Sequence, residues 1–119
     1  MNPVVVDTDV LSFVFKRDTW AGLYLADLEG RPAMISFMTE AELERWALQA
    51  GWAPQRQTSL REFLRRFVIV PSSAMLSRTW AQVMIESRAA GRRMETADAW
   101  IAATALLYQA ELVTNGICD

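Results

Sequence analysis

Short apolar runs, which are typical of buried β-strands, alternate along this sequence with longer stretches that have helical spacing. The strand-like runs are Val4 to Val6, Met34 to Phe37, Phe67 to Val70 and Leu112 to Thr114. At least one helical stretch separates each run from the next, and strands joined in this way usually pair in parallel with helices on both faces. The alternation therefore predicts an α/β protein with three layers, α/β/α, around a four-stranded parallel sheet.

The helical stretches are bounded by residues that often begin or end helices. Helices are expected over about Asp9 to Lys16, Thr19 to Leu28 with Gly30 after it, a span after Thr39, a span after Ser59, Ser73 to Gly91, and Ala97 to Ala110. Thr39 and Thr96 are expected to act as N-caps, because a hydroxyl at the cap can accept a backbone N–H of the first turn. The residues Ser59-Leu60-Arg61-Glu62 have the pattern of a capping box.

The residue types that are missing exclude several kinds of chemistry. The chain has 119 residues, about the size of one domain, with no histidine and a single cysteine, Cys118. It cannot by itself build a zinc site from thiolates and imidazoles, an internal disulfide or a serine–histidine triad. The only lysine is Lys16. Enzymatic chemistry would therefore come from carboxylates, hydroxyls and arginine, and carboxylates favour a hard ion such as Mg2+ or Mn2+.

Charge and hydropathy narrow the possible partners and the location. The formal net charge is −2, so the chain as a whole is not a basic surface for nucleic acid or for a membrane. No apolar run approaches the roughly 20 residues that span a bilayer. The first ten residues, MNPVVVDTDV, lack the pattern of a signal peptide, so a cytoplasmic protein with no membrane partner is expected.

Several acids fall where a parallel sheet binds ligands, beyond the carboxyl ends of its strands. Asp7 ends the first strand-like run and Asp9 follows it, while Glu42 lies in the helix after the second run. Asp98 begins the helix before the last strand, and Asp119 follows that strand. Each acid alone has a plain structural alternative: Asp9 as a helix N-cap, Glu42 as part of an exposed face, Asp119 as a frayed terminus.

Asp98 is the most informative of these acids. The stretch after it, AWIAATALLYQA, has no charged side chain, which predicts a helix that is buried on all sides. An acid at its N-terminal end fits the helix dipole, and it equally fits a metal ligand fixed to a rigid central helix. Carboxylates about 5 Å apart repel by roughly 3 kcal/mol per pair at an effective dielectric constant near 20. If the acids converge, divalent cations are the simplest means of neutralising them.

Four segments, taken in order, resemble the PIN domain family, and most closely its VapC-type toxins. The matching segments are Val4 to Ser12, Ile35 to Leu43, Ala97 to Ala105 and Leu112 to Thr114. The resemblance runs from end to end of the chain, so residues 1–119 are expected to form a single PIN-like domain. Family members normally continue through a further short helix and strand. The sheet is therefore expected to have four strands, as a shortened form of a five-stranded one.

The resemblance implies roles for particular residues. The catalytic acids would be Asp7, Glu42 and Asp98, and these would also bind the metal, with Asp119 as the best candidate for a fourth ligand. The auxiliary polar residues would be Asp9, Thr8, Ser36 and Thr114. Asp119 follows Asn115-Gly116-Ile117-Cys118, which differs from the basic, polar stretch that usually precedes the last acid.

The resemblance also implies an activity and partners. The chain would be a Mg2+- or Mn2+-dependent endoribonuclease, the toxin of a type II toxin–antitoxin pair, with RNA as substrate, a cognate antitoxin as partner and a homodimeric state. A local basic rim for RNA would come from these arginines: Arg65, Arg66, Arg88, Arg92 and Arg93. The tryptophans Trp20, Trp46 and Trp52 are expected to be mostly core, with one or two apolar side chains exposed for a partner.

Other classes fit the sequence less well, and one remains open. A haloacid-dehalogenase-like phosphatase also begins with a strand and Asp-x-Asp, but it needs a lysine later than Lys16. A receiver domain needs an aspartate after the third strand, where this chain has Pro71-Ser72-Ser73. The open alternative is a non-catalytic PIN-like module that binds RNA or protein through a degraded metal site.

Overall fold

Four strands and five helices form in the parts of the chain that the computed structural model describes, residues 2–17 and 30–114. The strands are β1 (Val4–Val6), β2 (Ala33–Ser36), β3 (Val68–Val70) and β4 (Glu111–Val113). The helices are α1 (Thr8–Arg17), α2 (Phe37–Gln49), α3 (Pro54–Leu64), α4 (Ala74–Ala89) and α5 (Thr96–Leu107). The helix expected over Thr19 to Leu28 lies outside the described residues.

The strands form one parallel sheet in the order β3-β2-β1-β4. Val5 of β1 pairs with Met34 of β2 on one side and with Leu112 of β4 on the other. All three valines of β1 are fully buried, as expected for an inner strand of a parallel sheet covered on both faces. The predicted four-stranded parallel sheet is confirmed.

The two faces of the sheet are covered by different helices. Val4 and Val6 point into a core that includes Leu11 of α1, Leu43 of α2 and Leu60 of α3. Val5, between them in sequence, points the other way, because successive strand residues face opposite sides. There it packs with Met34, Val70, Ile101 and Ala105, the last two from α5. The α/β/α layering predicted from the alternation of elements is therefore confirmed.

Helix α4 packs on α5, and an aromatic pair is part of the contact. The Trp80 ring stacks on Trp100 with 5.0 Å between centroids, and the Trp80 indole N–H donates to the Thr96 carbonyl at 3.4 Å. The end of α5 is less well covered, and Leu106 is 63% exposed. The prediction that this helix is buried on all sides is therefore wrong for the face of the last turn that carries Leu106, whereas Thr104 and Ala105 of the same turn are buried.

Two predicted helix starts are shifted along the chain. The cap of α2 is Ser36, whose hydroxyl accepts the Met38 N–H at 3.0 Å, and Thr39 lies buried inside the helix. Helix α5 begins after Glu95, which makes no side-chain cap bond, so Thr96 is not its cap. The predicted start at Ser73 is confirmed, since the Ser73 hydroxyl accepts the Leu76 N–H at 3.1 Å.

The capping box predicted at Ser59 is wrong. Helix α3 begins at Pro54, a residue whose fixed backbone angle suits the first helical position. Ser59 therefore lies within the helix, where its hydroxyl donates to the Gln55 carbonyl at 3.2 Å. None of the helices in the described ranges has the length and apolar character needed to cross a membrane.

The two serines give a direct test of these helix starts. Ser36→Ala removes the cap of α2 and should lower the free energy of unfolding by about 1 kcal/mol. Ser59→Ala removes an exposed mid-helix hydroxyl and should change it by less than about 0.5 kcal/mol. Urea unfolding followed by circular dichroism measures both. A greater loss at Ser59 than at Ser36 would contradict this assignment of the helix starts.

Candidate metal centre

Asp7 is held rigidly where β1 ends and α1 begins. Its backbone N–H donates to the Val113 carbonyl of β4 at 3.1 Å. Its Oδ1 accepts the Val10 N–H at 2.9 Å, and its carbonyl accepts the Leu11 N–H at 3.1 Å. Asp7 thus accepts backbone N–H groups of the first turn of α1, as an N-cap residue does. The cap role considered for Asp9 therefore belongs to Asp7, and Asp9 lies exposed in the first turn.

Glu42 projects from α2 and is tied to α1 by a threonine. The Thr8 hydroxyl donates to Glu42 Oε1 at 2.6 Å, and its oxygen also lies 3.1 Å from Oγ1 of the buried Thr39. A short hydrogen bond to a carboxylate is charge-assisted and stronger than a neutral one. The contact fixes the Glu42 carboxylate relative to the end of β1.

Asp98 lies in the first turn of α5, close to a second acid. Although its side chain is exposed, the surrounding protein removes enough water from the carboxyl to raise its pKa. The negative charges of Asp9 and, to a smaller extent, Glu95 raise this pKa further. Like charges disfavour ionisation in this way when they are near each other. The acids on α1 and α5 therefore interact across the edge of the sheet.

These side chains face one cavity of about 310 Å3 at the carboxyl edge of the sheet. Its lining includes four acids, which are Asp7, Asp9, Glu42 and Asp98. Thr8 and Ser12 add hydroxyls, and Ser12 donates to the Asp9 carbonyl at 3.0 Å. The parallel order β2-β1-β4 places these acids together, because the chain leaves β1 and β2 at the same edge, where α5 also begins. The result is a concave surface rich in carboxylate oxygen.

The chemistry of this cavity fits a hard divalent cation. Carboxylate and hydroxyl oxygens are the ligands that Mg2+ prefers, and Mg2+ keeps several waters when it binds to proteins. Within residues 2–17 and 30–114, no three acidic side chains stand close enough to bind one ion together. Direct binding by three acids would therefore require side-chain movement, whereas an ion that retains its waters can bridge a wider gap.

The other residues selected from the sequence lie away from this cavity or outside the described residues. Ser36 is buried and caps α2, and Thr114 follows β4 half-buried without lining the cavity. Asp119 lies outside the described residues. The five candidate arginines are exposed. Arg88, Arg92 and Arg93 line a separate cavity of about 420 Å3, while Arg65 and Arg66 lie between α3 and β3. Their binding of RNA stays a prediction.

Besides Ser12, two further residues with polar or aromatic side chains line the cavity although the sequence patterns did not select them for the site. Arg45 and Trp46 line the cavity from α2, three and four residues after Glu42. Residues at these spacings share a helix face. The signal was therefore present in the sequence once Glu42 was chosen, but it depended on knowing which face of α2 is turned toward the acids.

The chain is an α/β protein with a parallel sheet between two layers of helices, and four acids line a cavity at the carboxyl edge of that sheet. The PIN domain model matches residues 4–117. The chain belongs to the PIN domain family.

The relatives agree with this assignment. The plasmid stability protein StbB of Pseudomonas syringae pv. tomato is 33% identical over 112 residues, covering 87% of this chain and 80% of that protein. Ribonuclease VapC4 of Mycobacterium tuberculosis is 33% identical over 83 residues, covering 68% of this chain and 64% of that protein. The structure of VapBC2 from Rickettsia felis, bound to a DNA fragment from its promoter, superposes with a TM-score of 0.85. That match is 25% identical and covers 96% of this chain and 87% of the other.

Replacing Asp98 tests whether desolvation and neighbouring negative charges oppose its ionisation in the folded protein. Its raised pKa means that ionisation costs the folded state more than the unfolded state. This cost is fully present above the folded-state pKa and disappears below the ordinary value of 3.8. In metal-free buffer at neutral pH, Asp98→Asn should therefore raise the free energy of unfolding, and the gain should shrink as the pH falls toward 3.8.

Urea unfolding at a series of pH values measures this effect. Glu62→Gln, which removes an exposed acid of α3 that does not line the cavity, is the control and should give no comparable gain. A stability loss in Asp98→Asn at neutral pH would contradict a pKa of Asp98 that is raised in the folded protein.

Proposed function

We propose that this chain is a metal-dependent endoribonuclease that hydrolyses RNA phosphodiester bonds as the toxin of a type II toxin–antitoxin pair. The observation that carries the proposal is the set of four acids lining one cavity in a PIN-domain chain. Membership of the family alone would leave the chemistry open, because function resides in sites rather than in folds. Here the cavity has the donor groups that a metal-dependent nuclease needs.

Asp7, Glu42 and Asp98 would hold Mg2+ or Mn2+, with Asp119 as a further ligand from the end of the chain. When bound, such an ion supplies an activated water and stabilises negative charge on the phosphate. Asp7 is positioned for this role by its hydrogen bonds to the start of α1. Glu42 is held by Thr8. Asp9 would act as an auxiliary charge, since it already interacts electrostatically with Asp98.

The roles of the remaining polar residues follow from their places in the fold. Ser36 would support the site indirectly, because it fixes the start of the helix that carries Glu42. Thr114 would support the edge of the sheet next to β1. The exposed arginines selected from the sequence would contact RNA phosphates outside the cavity.

An antitoxin partner is supported by the relatives. The solved neighbour from Rickettsia felis is a VapBC complex bound to promoter DNA, and the Pseudomonas relative is a plasmid stability protein. By analogy, this chain would be inhibited by a cognate antitoxin and would form homodimers in the cytoplasm. The relative VapC4 is a ribonuclease, which supports RNA as the substrate of this chain too.

A non-catalytic module that binds RNA or protein is the second candidate. The observation that favours it is the spacing of the acids, since no three of them in the described residues are close enough to ligate one ion. Such a protein would retain the fold and the acidic cavity but would not cleave RNA when metal is supplied.

RNA cleavage by the protein freed of any antitoxin separates the two candidates. Cleavage should require Mn2+ or Mg2+ and should stop in EDTA. Asp7→Asn, Glu42→Gln and Asp98→Asn should each lower the rate by at least about 100-fold, a barrier increase of about 2.7 kcal/mol. Gel analysis of end-labelled RNA measures the rate.

Glu40→Gln is the matched control, because Glu40 lies on the same helix but does not line the cavity. It should cleave at nearly the wild-type rate. Absence of metal-dependent cleavage by the wild-type protein would favour the non-catalytic module. Loss of activity in Glu40→Gln with retention in Glu42→Gln would show that the wrong glutamate was assigned.

A further inference from the structure

The acidic cavity has one cationic side chain in its described lining, and that side chain forms no ion pair with a described residue. Arg45 lines the cavity together with the four acids. Within residues 2–17 and 30–114 it forms no ion pair, whereas Arg31 pairs with Glu111 and Arg61 with Glu44. The nearby Glu42 carboxylate takes its hydrogen bond from Thr8 instead. Arg45 is also exposed, so its guanidinium is able to bind an anion that enters the cavity.

Trp46 lies beside Arg45 and is fixed by aromatic packing. Its ring meets Trp52 edge-on with 4.7 Å between centroids. Trp52 in turn lies 5.7 Å from Phe15 of α1, with the Arg56 guanidinium carbon 4.1 Å from its centroid. Trp46 was expected to be core, and it does pack on the core, but it is only half-buried and also lines the cavity. Its ring is therefore oriented before any ligand binds.

We propose that Arg45 and Trp46 form a nucleotide subsite on the wall of the acidic cavity. Arg45 binds a backbone phosphate of the RNA, and Trp46 stacks on an adjacent base. This inference rests on the proposed function for its choice of ligand. It assigns to α2 a second role besides carrying Glu42, since residues 42, 45 and 46 share one helix face.

An acidic cavity needs a positive charge in its wall if it is to bind a phosphate, and Arg45 supplies one. Four acids repel a phosphate, and an arginine at the same wall offers planar donors that suit phosphate oxygens. A tryptophan face stacks on any base, provided that the base is unpaired. An acidic peptide would also be attracted by Arg45, but it would gain little from an aromatic face next to four carboxylates. RNA combines the anionic and the planar groups that this pair of side chains recognises.

Binding of RNA in EDTA tests the subsite without requiring cleavage. Fluorescence anisotropy with labelled oligouridylate, over a range of salt concentrations, gives the affinity and its salt dependence. Arg45→Gln should weaken binding roughly tenfold and reduce the slope of log affinity against log salt by about 0.7, the value for one phosphate contact on a single strand. Arg45→Lys, which keeps the charge, should retain the slope. Arg78→Gln, which removes an exposed charge of α4 away from this cavity, should change neither quantity.

Trp46 is tested separately. Trp46→Leu should weaken binding by roughly 5- to 150-fold without changing the salt slope, and oligouridylate paired with oligoadenylate should bind more weakly than the single strand. Thermal unfolding of each variant identifies any that fail to fold. If Trp46→Leu fails to fold, the Arg45 variants alone decide the result. A wild-type protein that does not bind the RNA, or an Arg45→Gln variant with unchanged affinity and slope, would overturn the subsite.

The same measurements keep this inference distinct from the proposed function. If the wild-type protein binds RNA through Arg45 but never cleaves it with metal, the subsite stands and the nuclease proposal fails. If it cleaves RNA and Arg45→Gln binds and cleaves as well as the wild type, the nuclease proposal stands and the subsite is wrong. A weaker complex of Arg45→Gln with a protein partner, with RNA binding unchanged, would also overturn the subsite.

Discussion

The gathering of four carboxylates in one cavity at the edge of the sheet is the feature from which the proposed chemistry follows. Parallel pairing of β1 with β2 and β4 brings the ends of these strands to the same side. The acids that follow or face these ends then share one cavity. There the removal of water and, after it, the negative charges of Asp9 and Glu95 raise the pKa of Asp98. Ionised carboxylates gathered in this way lower the free energy of unfolding. Such arrangements are common where the charged groups serve function. Hydrogen bonds from Thr8 and from the Val10 backbone hold the carboxylates of Glu42 and Asp7 in place.

Helix α2 links the stability of the fold to the chemistry of the cavity. Its buried face, with Leu43 and Ala47, packs into the core, and its start is fixed by Ser36 at the end of β2. The orientation of Glu42, Arg45 and Trp46 follows from that packing. When α2 buries Leu43 and Ala47 and begins at Ser36, its rotation about its own axis is fixed. The acidic cavity is therefore positioned by the hydrophobic core rather than by flexible loops.

Most of the fold and much of the candidate site could be predicted from local sequence patterns. The strand Val4 to Val6 was recognisable because a parallel strand that is buried on both faces is apolar along its whole length. The other three runs predicted the positions of their strands to within about one residue, although Phe37 belongs to α2. Asp7, Glu42 and Asp98 were placed at one edge because they follow or face strand ends.

The start of α2 was misplaced because Ser36 and Thr39 are both good caps. The choice between them is made by the pairing of Ser36 with Val70 across the sheet, which local sequence does not encode. Arg45 was missed because the exposed face of α2 is defined by tertiary packing.

The most direct measurement is the anomalous difference map of a crystal soaked in Mn2+. We expect a manganese peak inside the acidic cavity, contacted by Asp7, Glu42 and Asp98 directly or through bound water, and a loss of that peak in Asp98→Asn. Crystals in which Mn2+ binds elsewhere while this cavity holds only water would contradict the account.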